Sequence, residues 1–305
     1  MAFSESYRRQ VELLIRTMPL IAEEDVFALK GGTAINLFVR DLPRLSVDID
    51  LTYLPVQDRK TSLATIDKSL TRIKERIEQE MPGAAVTGLP SPKDKILTKL
   101  IVRADGVQIK IEVTPVLRGT VQGPALRSVA PAVEDAFGFA EMQIVSFADL
   151  YAGKIVAALD RQHPRDLFDV RDLLAHEGID DALRQAFVVY LISHNRPMAE
   201  TLAPVRKPLE EEFRRGLVGM TQEPIELAAL EETREAIVAQ MVDGMPEEHR
   251  EFLIGFKAGD PDWQLLDIPH AKDLPAVLWK QQNLDALPTT KRLKLVRILE
   301  NVLRK

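Results

Sequence analysis

Hydrophobic residues follow a helical period at the start of the chain. Four of them recur at intervals of three or four positions: Val11, Leu14, Ile15 and Met18. Because this spacing places them on one face, residues 4–18 are predicted to form an amphipathic helix. Pro19 has no backbone N–H, so we expect the helix to end there.

Short apolar runs bounded by turn residues predict strands further along. They lie at 26–29, 47–53, 96–103, 107–116 and 142–145, with short and long helices predicted at 33–39 and 58–81. Asp105-Gly106 joins the third and fourth runs and is typical of a hairpin turn. In the fourth run, apolar residues alternate with polar ones, which indicates one buried and one polar face.

The pattern becomes helical from Ser146 onward, with helices predicted to about residue 160, from Pro164, and over 180–194. We therefore expect an α+β or α/β fold, in which residues 1–145 form a mixed sheet flanked by helices. An all-α part should follow at residues 146–305.

Composition excludes several classes of protein. The 305 residues include no cysteine, so disulfide scaffolds, thiolate zinc sites and cysteine nucleophiles are excluded. No apolar run approaches the ~20 residues that span a membrane, and we expect a cytoplasmic protein without a membrane partner. The net charge of −6 argues against broad electrostatic capture of nucleic acid and leaves room for a local basic groove.

The candidate chemistry begins with two acids on one predicted strand. Asp48 and Asp50 are two residues apart, so both carboxylates project from the same face. A hard divalent ion such as Mg²⁺ would relieve their repulsion. Gly31-Gly32-Thr33, after an earlier strand, would let the backbone approach a phosphate. Glu112 adds a third carboxylate if its strand lies beside that of Asp48.

A second group of charges lies in the helical part. Lys154 and Arg161 are seven residues apart and share a helical face, where they could meet a triphosphate. Asp166 and Asp169 share a face of the next helix and could hold those cations. An ordinary ion-pair network between two helices explains the same residues equally well.

Together these motifs resemble the AbiEii/AbiGii toxin family within the DNA polymerase β-like nucleotidyltransferase superfamily. The resemblance rests on residues 29–34 and 44–51, then on 150–154, Arg161 and 165–170, and more weakly on 274–280. The gap between Thr33 and Asp48 is slightly longer than the superfamily usually shows but is compatible with this subgroup, and the third acid varies among such toxins.

The resemblance implies a nucleotidyltransferase toxin of a type IV toxin–antitoxin, or abortive-infection, pair. Such an enzyme would use Mg²⁺ or Mn²⁺ and an NTP, transfer a nucleotide to an RNA acceptor such as the 3′ end of tRNA, and release pyrophosphate. We expect a monomer with a separate antitoxin protein. The metal ligands implied are Asp48, Asp50 and Glu112; the nucleotide-binding residues are Lys30, Gly31, Gly32, Thr33, Lys154 and Arg161; and the catalytic residues are Asp48, Asp50, Lys154 and Asp166.

Three details stay open at this point. Asp166 could orient Lys154 or deprotonate the acceptor. A non-catalytic nucleotide- or partner-binding module on the same fold is an alternative, as is a glycosyltransferase that uses Asp-x-Asp to hold a metal–diphosphate. A Walker-type P-loop is excluded, because Gly31-Gly32-Thr33 lacks the Gly-Lys-Ser/Thr ending.

Overall fold

The computed structural model describes residues 3–304. The chain divides into two compact units. The first comprises Met1–Ser146 together with Leu217–Ile225, and the second comprises Phe147–Gly216 and Glu226–Lys305. The first unit therefore includes a short segment, Leu217–Ile225, from much later in the chain. The hydrophobic pattern does not indicate that this segment belongs to the first unit.

The first unit is a sheet flanked by helices. Its elements are α1 (Glu5–Ala22), β1 (Phe27–Lys30), α2 (Gly31–Ala34) continued by a π-helical turn (Ile35–Val39), β2 (Asp48–Tyr53), α3 (Arg59–Glu80), β3 (Ala85–Pro90), β4 (Leu97–Ala104), β5 (Val107–Arg118), β6 (Ala125–Ser128), α4 (Pro131–Phe137) and β7 (Glu141–Ile144).

The seven strands form one mixed sheet in the order β3-β4-β5-β2-β1-β7-β6. β2 runs parallel to β5 and β1 runs parallel to β7, whereas the other neighbours are antiparallel. This arrangement confirms the predicted mixed sheet with helices. The predicted hairpin is also present, and Asp105 and Gly106 both have positive φ, as a tight turn between twisted strands requires.

The end predicted for α1 is wrong. Pro19 lies inside the helix, which continues to Ala22. A proline in a helix costs about 3 kcal/mol, but the extra turn buries Leu20 and Ile21, and each such side chain contributes about 1.5–3 kcal/mol when buried. Burial therefore outweighs the lost hydrogen bond. The helix predicted at 33–39 likewise begins earlier, at Gly31.

The late segment of the first unit braces the loop that precedes β2. The Leu45 N–H donates to the Met220 carbonyl at 2.7 Å, and the Gln222 N–H donates to the Pro43 carbonyl at 2.9 Å. Arg44 and Thr221 form an isolated antiparallel bridge between these two contacts. The loop that leads into the Asp48 strand is therefore held by residues more than 170 positions away in sequence.

Within the described residues, every regular element of the second unit is helical. Its α-helices are α5 (Phe147–Asp160), α6 (Pro164–His176), α7 (Asp181–Ser193), α8 (Met198–Leu202), α9 (Glu210–Gly216), α10 (Leu227–Val238), α11 (Glu247–Ala258), α12 (Pro275–Asp285) and α13 (Thr289–Leu303). The helices predicted from Ser146, Pro164 and residue 180 correspond to α5, α6 and α7. None of the helices found between residues 3 and 304 combines the length and apolar character that crossing a membrane requires.

Candidate active site

A row of charged side chains crosses four neighbouring strands of the sheet. Lys30 on β1 pairs in register with Asp50 on β2, Asp50 pairs with Glu112 on β5, and Glu112 pairs with Lys99 on β4. Because residues in register point to the same side of a sheet, all four side chains share one face. The opposite face is apolar, since Ile49, Leu51 and Ile111 are fully buried.

A second pair lies two residues along the same face. Asp48 is in register with Lys110, and Lys110 Nζ lies 3.9 Å from Asp48 Oδ1 and 3.0 Å from Glu112 Oε2. Lys99 Nζ lies 3.4 Å from Glu112 Oε1. The structure thus brings together the three predicted acids, Asp48, Asp50 and Glu112. It adds Lys99 and Lys110, which were not predicted from the sequence as site residues.

Burial and neighbouring charges shift the pKa values of Glu112, Lys110 and Lys30. Burial raises the pKa of Glu112, but the hydrogen bond and positive charge of Lys110 outweigh it and leave that pKa below its ordinary value. Burial lowers the pKa of Lys110, yet Glu112 and Asp48 more than compensate, so it lies above its ordinary value. Burial dominates at Lys30 and lowers its pKa, against the opposing charges of Asp50 and Glu112.

The glycine pair is required by close packing around the acids. Gly31 has a φ of +75°, and a Cβ there would lie 2.9 Å from Asp50 Oδ2. A Cβ on Gly32 would lie 2.7 Å from Nη2 of the buried Arg44. A Cβ at either position would therefore require its neighbour to shift: the Asp50 carboxylate for Gly31 and the Arg44 guanidinium for Gly32.

Thr33 connects α2 to the start of β2. Its buried hydroxyl donates to the Asp48 carbonyl oxygen and is hydrogen bonded to the Ser46 hydroxyl at 2.9 Å. The Thr33 side chain therefore holds the Asp48 strand in place, in addition to the role towards phosphate that the sequence predicts for it. Arg44 and Ser46, also missed, belong to the same support; their only sequence signal is their place in the string before Asp48.

The donor chemistry of this face suits a hard divalent ion. Asp48 and Asp50 offer carboxylate oxygens from one face of one strand, and oxygen donors are what Mg²⁺ and Mn²⁺ prefer. Both Glu112 oxygens, by contrast, contact lysines. Among residues 3–304 no three His, Asp or Glu side chains are arranged so that they could together hold a metal. The pair Asp48–Asp50 fits the ion; a three-acid cage is not preformed.

The second predicted cluster lies in the helical unit and is a compact ion-pair network. Lys154 Nζ on α5 lies 2.9 Å from Asp166 Oδ1 and 3.0 Å from Asp169 Oδ2 on α6. Arg161, just after α5, contacts both Asp166 oxygens at 2.5 Å and 2.9 Å. Lys154, Asp166 and Asp169 are all buried, whereas the Arg161 side chain is 61% exposed, so the buried part of the network is shielded from water.

This network bears on the two roles left open for Asp166. Burial by itself would raise the pKa of Asp166, but the Lys154 charge and the Arg161 hydrogen bond hold it far below its usual range. A carboxylate so strongly committed to its ion pairs is a poor proton acceptor near neutral pH. The geometry therefore favours orientation of Lys154 over deprotonation of an acceptor.

A comparison of two glycines tests the contact with Asp50. Gly31→Ala and Gly83→Ala both place a side chain at positive φ, but only the first meets a close neighbour. We expect each variant to lose about 1 kcal/mol of unfolding free energy for the backbone conformation, and Gly31→Ala to lose about 1–2 kcal/mol more from overpacking. Urea denaturation measures both. Equal losses would show that the Asp50 carboxylate yields to a Cβ without cost.

Removing the Asp166 charge should destabilise the helical unit in a pH-dependent way. At pH 7, Asp166→Asn is expected to lower the unfolding free energy by about 3 kcal/mol, because buried Lys154 loses one of its carboxylates. Since the folded pKa is depressed, the stabilisation is complete above the unfolded value of about 4 and is lost as pH falls from there towards the folded pKa. The difference between variant and wild type should therefore shrink below about pH 4.

Chemical denaturation between pH 7 and pH 3 measures that difference. Glu211→Gln is the matched control, since Glu211 forms an exposed i,i+4 pair with Arg215 in the same unit and should cost less than about 0.5 kcal/mol. A difference for Asp166→Asn that does not vary with pH would contradict the ionised, buried carboxylate.

Comparison with known proteins identifies a family that matches most of the chain. Residues 12–282 match the family described as nucleotidyl transferase AbiEii toxin, type IV toxin–antitoxin system. Among solved structures, MenT4, a nucleotidyltransferase toxin from Mycobacterium tuberculosis H37Rv, is similar with a TM-score of 0.61 and 16% identity, over 91% of this chain and 93% of that chain. At this identity the likeness shows the fold alone.

No curated protein matches the sequence. The family match nevertheless extends over most of the chain, including both charged clusters. It confirms the resemblance found in the motifs. The chain belongs to the AbiEii nucleotidyltransferase toxin family of type IV toxin–antitoxin systems.

Proposed function

We propose that this toxin is a divalent-metal-dependent enzyme that transfers a nucleotide from an NTP to RNA, at the 3′ end of a tRNA. The observation that carries the proposal is the placement of Asp48 and Asp50 on one face of β2, with Gly31 packed against Asp50. Two carboxylates beside a glycine turn suit a metal–triphosphate. The carboxylates offer oxygen ligands to the hard cation, and the glycine turn accommodates the bulky phosphates.

In this proposal Asp48 and Asp50 hold Mg²⁺ or Mn²⁺. When bound, the ion supplies positive charge to the triphosphate and its leaving group. The acceptor hydroxyl oxygen forms a bond to the α-phosphorus, the bond from that phosphorus to the oxygen bridging to the β-phosphorus breaks, and pyrophosphate leaves. The hydroxyl proton passes to water, because Asp166 is committed to Lys154 and Arg161.

The remaining sequence-predicted residues take supporting roles. Lys30, Gly31, Gly32 and Thr33 form the turn beside the acids and are proposed to lie along the nucleotide. Lys154 is the proposed cation for the triphosphate, with its ammonium held by Asp166 and Asp169, and Arg161 contributes through the same network.

The case for an RNA acceptor comes from a surface of the helical unit formed by Lys257, Trp279 and Lys280. Trp279 is 47% exposed, and Lys280 Nζ lies 6.0 Å from its ring centre. Burial lowers the pKa of Lys280, and the neighbouring charge of Lys257 lowers it further. No carboxylate of the described residues forms an ion pair with either lysine. An exposed ring beside two uncompensated cations suits a nucleic-acid strand, which offers bases to stack and phosphates to neutralise.

Membership of a toxin–antitoxin family implies a separate antitoxin. We propose that the toxin acts as a monomer in the cytoplasm, where its RNA acceptor is found.

A transfer assay tests the reaction. Purified protein is incubated with Mg²⁺, each α-labelled NTP in turn, and total bacterial RNA. We expect label on an RNA of tRNA size, and we expect the Asp48→Asn, Asp50→Asn double variant to lose at least about 100-fold of that signal, because it removes the carboxylate charge at the metal site.

Asp105→Asn serves as the control, since Asp105 lies in the hairpin turn of the same unit and pairs with exposed Arg16. It should label RNA as the wild type does. Equal label from the double variant would remove the two aspartates from the mechanism, and label on protein alone would contradict the RNA acceptor.

Substitution of the two helical-unit lysines tests the RNA surface. Lys257→Gln with Lys280→Gln should weaken tRNA binding about tenfold and reduce the slope of log affinity against log salt by about two, one for each lost phosphate contact. The control double variant, Lys291→Gln with Lys294→Gln, removes exposed lysines of α13. Fluorescence anisotropy at several salt concentrations measures both. If the two double variants weaken binding equally, the contacts are not confined to the proposed surface.

A further inference from the structure

The acids of the candidate active site have lysine ammonium groups beside them. Lys110 reaches two of the three carboxylates: its Nζ is 3.0 Å from Glu112 Oε2 and 3.9 Å from Asp48 Oδ1. Lys99 contacts Glu112 at 3.4 Å from the other side. Glu112 thus holds two ammonium groups, one of which also faces an aspartate proposed to bind metal.

Electrostatics explains why the lysines are there. Three carboxylates on one face would repel one another, because like charges held close together disfavour each other's ionised form. Lys30, Lys99 and Lys110 lie on the same face, so three positive charges balance three negative ones. A divalent ion that joins this balanced set adds two positive charges close to an ammonium. A nucleoside triphosphate that binds together with the ion neutralises this excess of positive charge.

We propose that Lys110 is the resident counter-cation of the Asp48–Asp50 pair, competing with the divalent ion until an NTP provides phosphates for its ammonium. This inference rests on the proposed function and adds a mode of regulation to it. Metal binding and nucleotide binding are coupled: the ion binds weakly alone and tightly together with the triphosphate. Glu112 acts as the anchor that keeps Lys110 within reach of both Asp48 and the phosphates.

The chain provides a matched control for Lys110. Lys99 has the same charge, nearly the same exposure, 33% against 32%, and the same partner, Glu112. It differs in that only Lys110 has an ion-pair contact with Asp48. A general effect of removing one positive charge from this face would appear in both variants, whereas competition for Asp48 would appear in one.

The experiment measures Mn²⁺ affinity without nucleotide, by calorimetry or by the electron paramagnetic resonance signal of the free ion. Lys110→Met should bind Mn²⁺ about tenfold more tightly than the wild type, since a competing charge some 4 Å from the Asp48 oxygen is gone. Lys99→Met should change the affinity less than about threefold, because the Lys99 ammonium contacts Glu112 and forms no ion pair with Asp48. Lys110→Arg, which keeps the charge, should bind as weakly as the wild type.

A second titration adds ATP or the NTP that the transfer assay identifies. Saturating nucleotide should strengthen Mn²⁺ binding much more in the wild type than in Lys110→Met. Circular dichroism of each variant establishes that it is folded, and Lys110→Gln replaces Lys110→Met if the methionine variant is not.

The outcomes separate this proposal from the proposed function. Mn²⁺ affinity that is unchanged or weaker in a folded Lys110→Met or Lys110→Gln variant overturns the role of Lys110, as does an equal gain in Lys99→Met. Neither result touches the transferase assignment. Mn²⁺ binding that persists in the Asp48→Asn, Asp50→Asn double variant would instead place the ion elsewhere, and both proposals would fail.

Discussion

The register between β2 and β5 decides how the two aspartates of the candidate active site face Glu112 and Lys110. Side chains alternate along a strand, so pairing Asp50 with Glu112 also sets Asp48 opposite Lys110 and turns Ile49 to the other face. A slip of one residue would bury both aspartates and expose the isoleucine. Because an unpaired buried charge is far more costly than the loss of one apolar contact, the hydrophobic face of the sheet fixes the geometry of the acids.

The two charged clusters balance their charges differently. In the helical unit, Asp166 and Asp169 are buried and each has a cation within about 3 Å, so removing one partner leaves a buried charge. On the sheet, Lys110 and Glu112 are each about one-third exposed, and water can take the place of either partner at modest cost. The first arrangement favours a permanent structure, whereas the second permits exchange of one cation for another.

The sequence predicted those elements that depend on residues close together along the chain. Asp105-Gly106 identified the hairpin, and alternation identified the two faces of β5. The error at Pro19 arose because burial of the next turn is a tertiary effect. The acids were predicted from their positions on predicted strands and then from the motif resemblance. Lys110, by contrast, required knowledge that β5 lies parallel to β2, and Arg44 required the position of Gly32. Both contacts depend on the folded arrangement of the chain, so no periodic pattern in a single sequence reveals them.

The hydrogen bonds that Met220 and Gln222 form with the loop before β2 can form only late in synthesis. Asp48, Asp50 and Glu112 are made early, but the backbone partners of Leu45 and Pro43 belong to Met220 and Gln222. At about 5–20 residues per second, those partners follow the end of the sheet by roughly ten seconds. A nascent or truncated chain that stops before this segment carries all the acids without the brace, so a partly synthesised toxin lacks the support that holds its active strand in place.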